Sequence, residues 1–198
     1  HLTNAVEASL KRLGTDYIDL YQLHAFDAFT PVEEVLQTLD TMVRAGKIRY
    51  FGVSNYRGWR IAEVVSECEA QGVPLPVVCQ PYYNLLNRQP EVEVLPACAH
   101  HGIGVVPYSP IARGVLTGKY RRDVPFPADA RLVHSKRWSA KFVTEQNWQR
   151  LEALDKFCAA RNITLLELAF SWLLARPTVA SVIAGATKPE QVKSNVGA

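Results

Sequence analysis

The chain has 198 residues, 48% hydrophobic and 21% charged, with 22 basic side chains against 19 acidic ones and a net charge of +3. That is the composition of an ordinary globular domain, or of a large piece of one, and so slight a basic excess, with no basic run interleaved with aromatics, argues against a nucleic-acid partner. No apolar stretch reaches the roughly 18 residues a membrane span needs, and no signal-peptide pattern is visible.

Two periodicities alternate along the chain. From Thr3 to Leu13, Val6, Leu10 and Leu13 share one helical face, and Gly14 stops the helix. Tyr17 to Leu23 is a short apolar run suited to a buried strand. Thr30, Pro31 and Glu33 then read as a capping box with proline at the first helical position. Val32, Val35, Leu36, Leu39, Met42 and Val43 continue it with helical spacing as far as Gly46. A strand is expected from Ile48 to Val53, a helix through Ile61, Val64, Val65 and Cys68 to Gly72, and a strand from Val77 to Gln80. Pro90 to His101 reads as a helix stopped by Gly102, and Ile103 to Tyr108 as a strand.

The connection from Ser109 to Phe142 is rich in Pro, Arg and Gly, and loops of that length usually carry function. Helices are expected at Thr144 to Ala160 and at Leu165 to Ala175, the second with a capping box of Thr164 and Glu167 and a stop at Arg176-Pro177. Val179 to Ile183 reads as the last strand, and a helix begins near Lys188.

The first four strands recur at intervals of about 30 residues, the size of one βαβ unit, and strict alternation requires a parallel sheet covered by helices. A doubly wound dinucleotide fold should show GxGxxG between strand and helix, whereas Gly102 and Gly104 here precede a strand. The loops richest in Gly, Lys, Arg and hydroxyls follow the fourth and fifth strands, as phosphate-binding loops do in (β/α)8 barrels. The expected fold is therefore an α/β TIM barrel with only its last five strands and their helices present. Residues 1–198 read as a partial barrel domain that lacks three N-terminal β/α units and has a clipped last helix.

Cys68, Cys79, Cys98 and Cys158 form no CxxC pair and have apolar neighbours, so they read as buried free thiols of a cytoplasmic protein. His1, His24, His100, His101 and His134 show no metal-ligand spacing, and no metal is expected. Polar groups gather instead at the expected C-terminal strand ends: His24, Ser54-Asn55, Gln80 with Tyr82, Tyr83 and Asn84, Tyr108-Ser109, and Gly185 to Thr187. That is the face on which barrel enzymes place their active sites.

The segments SLKRLGTDYIDLYQLH (9–24), AGKIRYFGVSN (45–55), QPYYNLLNR (80–88), VVPYSPIARGVLTGKY (105–120) and VIAGATKPEQVKSNVGA (182–198) resemble the aldo-keto reductases, in the branch of bacterial reductases and potassium-channel β-subunits. The resemblance implies hydride transfer between NADP(H) and a small-molecule aldehyde or ketone. His24 matches the histidine that hydrogen-bonds the substrate carbonyl oxygen. The family's tyrosine, lysine and aspartate match no position in this chain. Ser54, Asn55 and Gln80 match the residues that hold the nicotinamide carboxamide, and Tyr108 the aromatic under the ring. Ser109, Pro110, Ile111, Gly114 and Leu116 match the pyrophosphate loop, and Lys119 and Arg131 the basic residues on the phosphates.

Gly185, Thr187, Lys188 and Gln191 match the turn that holds the 2′-phosphate, at a helix N-terminus that favours anions, and Asn195 the adenine contact. Arg113 stands where a small residue is common and receives no role. Two further readings are a redox-sensing, cofactor-binding module like a potassium-channel β-subunit, and an inactive truncated chain. The substrate and the oligomeric state stay open.

Overall fold

The computed structural model describes all 198 residues, His1–Ala198. The chain divides into two units, His1–Pro81 with Gln89–Val106, and Tyr82–Arg88 with Pro107–Ala198.

In the first unit, β1 (Ile18–Leu23), β2 (Ile48–Ser54), β3 (Val78–Gln80) and β4 (Gly104–Val105) pair in that order as a parallel sheet. The helices α1 (Leu2–Leu13), α2 (Val32–Arg44), α3 (Gly58–Gln71) and α4 (Val94–His100) connect or precede the strands. The helices bury most of the stripes their spacing predicts, Val6 and Leu10 on α1, Leu36, Leu39 and Met42 on α2, Ile61, Val64, Val65 and Cys68 on α3, whereas Leu13 at the end of α1 is exposed and Val32, Val35 and Val43 of α2 are half-buried. Ile48, Phe51 and Val53 of β2 and Val78 and Cys79 of β3 are buried as well. Each such aliphatic or aromatic side chain contributes about 1.5–3 kcal/mol by leaving water. β1 forms one edge of the sheet, with Leu20 and its β2 partner Tyr50 both exposed.

The register pairs Gly52 with Val78 and Ser54 with Gln80. Gly52 is glycine because of that pairing: a Cβ there would sit 2.4 Å from Val78 Cγ1 and 2.7 Å from the Val78 carbonyl oxygen. Two expectations differ in this unit. The helix expected over Pro90 to His101 is split into a short 3-10 turn, Gln89–Glu91, and α4. The capping box at Thr30 does not form. The Asp27 carboxylate takes the Thr30 hydroxyl at 2.6 Å and the Phe29 N–H at 2.9 Å, a local turn that outcompetes the cap, and Pro31 becomes the N-cap of α2 with no side-chain bond.

The second unit contains α5 (Lys136–Phe142), α6 (Glu145–Ala159), α7 (Leu165–Leu174), α8 (Pro189–Gly197) and a 3-10 segment, Ala112–Thr117. Its core joins Ala112, Val115 and Leu116 to Tyr120, Leu132, Phe142, Leu151, Leu165 and Ala169. The Thr164–Glu167 capping box is present in both directions. Val179 to Ile183 is not the strand expected from its composition. Val179 N–H turns back to the Arg176 carbonyl at the end of α7, and the stretch makes only single-residue bridges, at Val179 and at Ile183, the latter parallel to Tyr108. The expected strand 103–108 is likewise shorter, ending at Val105 before Tyr108 makes its isolated bridges to Tyr82 and Ile183. Expected as five strands, the sheet has four.

Candidate functional site

In the first unit the ends of β1, β2 and β3 are tied together by the residues singled out in the sequence. Ser54 is 2% exposed, and its hydroxyl donates to the Gln80 carbonyl at 2.8 Å. Asn55, in the left-handed region at φ 61°, donates its side-chain N–H to the His24 carbonyl at 2.9 Å and to Ser54 Oγ at 3.0 Å. Its backbone N–H reaches the Gln80 carbonyl at 3.3 Å. A left-handed Asn at a strand end re-aims the chain at the cost of strain, a feature that gathers at functional sites. His24 follows directly after β1, and its side chain is exposed. The structure thus brings His24, Ser54, Asn55 and Gln80 into one hydrogen-bonded row, with the Ser54 proton already given to the protein.

In the second unit Tyr108 lies 5.5 Å from Tyr82, ring centroid to ring centroid, and burial raises the pKa of both phenols. The turn after Tyr108 is held by Asn84, whose role the sequence reading left open. Asn84 is fully buried. Its amide donates to the Ser109 carbonyl at 3.0 Å and accepts from the N–H groups of Leu86 and Asn87. Asn87 in turn donates to the Tyr82 carbonyl at 2.6 Å. The Asn-x-x-Asn spacing in QPYYNLLNR is the sequence signal for this arrangement, since each Asn can cap the loop between them.

Beyond Tyr108 the backbone takes positive φ at Ser109, Ala112, Arg113, Gly114 and Gly118. Such turns collect N–H groups into anion-binding concavities. At Gly114 an added Cβ would lie 3.0 Å from Lys119 Cε and 3.2 Å from Lys119 Nζ, so the bare α-carbon leaves the room the lysine occupies. Pro110 is buried, Ile111 half-buried, and Leu116 is wholly in the core, which leaves only its backbone for a ligand.

Two lysines act on Asp129, and Arg131 follows it in the chain. Lys188 Nζ is 3.2 Å from the Asp129 carboxylate, which this bond and the charge of Lys119 hold below its usual pKa. Arg131 is exposed two residues on, between buried Ala130 and Leu132. The Leu132 N–H donates to Tyr120 Oη at 3.3 Å, which brings the Arg131 stretch beside the Lys119 stretch. Asp129 carried no signal in the sequence, because its partner lies 59 residues away.

At the start of α8, Thr187 donates both its N–H, at 2.7 Å, and its hydroxyl, at 3.2 Å, to Gln191 Oε1. The Gln191 carbonyl oxygen is thereby spent on the turn, and its NH2 is the end left for a ligand. Gly185 has open space around it, and Asn195 is half-buried on a helix with no buried residue.

The aldo/keto reductase family profile matches residues 1–198. A probable voltage-gated potassium channel subunit beta of Arabidopsis thaliana is 35% identical over 100% of this chain and 61% of its own length. The L-glyceraldehyde 3-phosphate reductase of Escherichia coli K12 is 34% identical over 100% of this chain and 58% of its own length. The NADH-specific methylglyoxal reductase of the same organism is 38% identical over 98% of this chain and 57% of its own length. The chain spans about three fifths of the length of these relatives.

Proposed function

The chain belongs to the aldo/keto reductase family, and from that premise we propose that the protein is an NADP(H)-dependent oxidoreductase that reduces aldehydes or ketones to alcohols. The observation that carries the cofactor reading is in the second unit: the bare Gly114 α-carbon under Lys119, with Lys119 and Lys188 acting on Asp129 and Arg131 beside it. A glycine cradle lined by cations fits a phosphate-bearing ligand.

The cofactor, when bound, supplies the hydride. Ser54, Asn55 and Gln80 would hold the carboxamide, with the Ser54 oxygen still able to accept and Gln80 to do either. Tyr108 would face the ring, and Ser109, Pro110, Ile111, Gly114 and Leu116 would offer backbone N–H groups or carbonyls along the pyrophosphate. Lys119 and Arg131 would hold the cofactor phosphates, the 2′-phosphate among them, by charge-assisted bonds. Thr187, Lys188 and the Gln191 amide would take the 2′-phosphate, with Gly185 giving it room and Asn195 meeting the adenine. His24 would donate to the carbonyl oxygen and stabilise the negative charge that grows there. Proton delivery falls to a residue outside residues 1–198, since the tyrosine, lysine and aspartate of the resemblance match nothing in them. The likeness to a (β/α)8 barrel, of which the four parallel strands are one part, belongs to the same proposal. No helix is long and apolar enough to cross a membrane. All four cysteines are free and buried, which fits a reducing cytoplasm.

Replacing Lys119 or Arg131 with alanine in the full-length protein should weaken NADPH binding by about tenfold or more, as for loss of a hydrogen bond to a charged group, and NADH binding much less. Equal losses for the two cofactors would remove both residues from the 2′-phosphate. His24→Ala should lower the rate of carbonyl reduction by about a hundredfold with cofactor affinity retained, because Asn55 bonds the His24 backbone and not its ring. The identity to the potassium-channel relative supports a second reading, a cofactor-binding module with slow turnover. A stable tetramer that turns over small aldehydes far more slowly than about 1 s⁻¹, the low end for enzymes, would favour it.

A further inference from the structure

Around Trp138, in the second unit, three cations gather without a counter-charge. Arg113 Cζ lies 3.7 Å from the indole centroid, Arg137 Cζ 5.4 Å and Lys141 Nζ 5.6 Å. None of the three forms an ion pair, whereas Arg122 in the same unit is held by both Glu145 and Glu152. Arg113 takes the left-handed backbone, φ 58°, and its Nε is buried without a partner. Tyr82 Oη is also buried without a hydrogen-bond partner. Lys141 Nζ stands 4.7 Å from the Tyr82 ring. The Arg113 charge acts on both the Tyr82 and the Tyr108 phenols, so one guanidinium serves both tyrosines.

We propose that Arg113, Lys141 and the Tyr82 hydroxyl form an oxyanion subsite that takes a phosphate or carboxylate group carried by the carbonyl substrate. The proposal rests on the reductase reading. Like charges held near one another repel, and the repulsion is relieved when an anion enters. A guanidinium stacked on an indole is pre-organised and leaves its N–H edge free to grip an oxyanion in the ring plane. The buried Tyr82 hydroxyl and Arg113 Nε are orphaned donors of the kind such a group would satisfy. The same chemistry could come from a phosphate of the cofactor. The substrate is favoured because the Arg113 charge is felt at Tyr82 and Tyr108, the aromatic end, while that of Lys119 is felt at Asp129.

The test uses the full-length protein and two aldehydes of equal chain length, succinic semialdehyde and butanal, which differ by a carboxylate. Arg113→Gln removes the charge, keeps a polar, unbranched though shorter side chain and makes no new demand on the left-handed backbone, and Lys141→Gln provides a variant on ordinary helix. In each, the ratio of kcat/KM for the acid aldehyde to that for butanal should fall about 10- to 100-fold, the scale of one hydrogen bond to a charged group. An unchanged ratio overturns the subsite, and so does a rise in the Kd of NADPH in place of a fall in the ratio, which would give these cations to the cofactor. If the wild type reduces neither aldehyde, the reductase reading fails and a binding measurement decides the subsite separately. Calorimetric titration with inorganic phosphate, at saturating NADPH, should show binding that Arg113→Gln weakens at least tenfold. Equal binding by wild type and variant would reject it.

Discussion

The two units reach an ordered cluster of polar residues by different means. In the first, a parallel backbone ladder sets the register, and the side chains of Ser54 and Asn55 only stitch strand ends that are already adjacent. In the second, parallel pairing is reduced to isolated bridges, and single side chains do the positioning: Asn84 and Asn87 around Tyr82 and Ser109, Tyr120 on Leu132, Asn147 on the Phe142 carbonyl. Five of the six non-glycine residues with positive φ lie there. Where repeated elements carry the chain, many residues share the burden; where a loop does, a few residues bear it.

That contrast can be broken or sharpened by substitution. The largest effect is expected for Asn84→Ala, which strands the Leu86 N–H, removes one of two bonds to the Ser109 carbonyl and removes one of two bonds to the Asn87 N–H. A loss of about 3 kcal/mol, on the scale of buried groups left unpaired, should appear in chemical denaturation. A loss below about 1 kcal/mol, the worth of one ordinary hydrogen bond, would mean the loop is held by its apolar contacts. Next comes Gly52→Ala, where the methyl meets both a side chain and a carbonyl oxygen of Val78. About 2–3 kcal/mol of destabilisation is expected, as for overpacking a tight site. An unaffected Gly52→Ala would show that β2 and β3 can part without cost.

The two threonine boxes give a smaller and more exacting comparison. Thr164→Ala removes a formed cap and should cost about 1 kcal/mol. Thr30→Ala removes only an exposed bond to Asp27 and should stay within about 0.5 kcal/mol, as exposed substitutions do. Equal costs would mean that Thr30 caps α2 after all. The smallest effect is electrostatic. The Asp129 carboxyl is held below its ordinary value of 3.8 by Lys188, so its contribution is present above that value and is lost as pH falls through the lower folded pKa. In Lys188→Ala, an NMR titration of Asp129 should move back toward 3.8; an unmoved titration would break the pair.

Most of the first unit was legible because it is periodic. Helical stripes such as Leu36, Leu39 and Met42, and runs such as Val78 to Gln80, announce burial through spacing alone. The row of His24, Ser54, Asn55 and Gln80 could be placed at strand ends for the same reason, since a polar residue that closes an apolar strand has few other positions. The same logic misled at Val179 to Ile183. Its apolar β-branched residues suit a strand, but a strand needs a run of neighbours in register, and only single-residue bridges form there. At Thr30 the failure was local competition: Asp27, three residues earlier, captured the hydroxyl that the helix would have used.

By itself, then, the sequence determined the order of α and β elements, the parallel pairing that strict alternation compels, the buried stripes, and the family, because all of these are written in spacing and in contiguous motifs. Only the tertiary structure decided that Lys188 meets Asp129 across 59 residues, that Gly114 lies under Lys119, that Asn84 holds the turn after Tyr108, and that Arg113 stacks on Trp138. These are pairings between residues that carry no shared period. Which donor finds which acceptor is settled when the loops pack and each buried polar group must take the partner within reach.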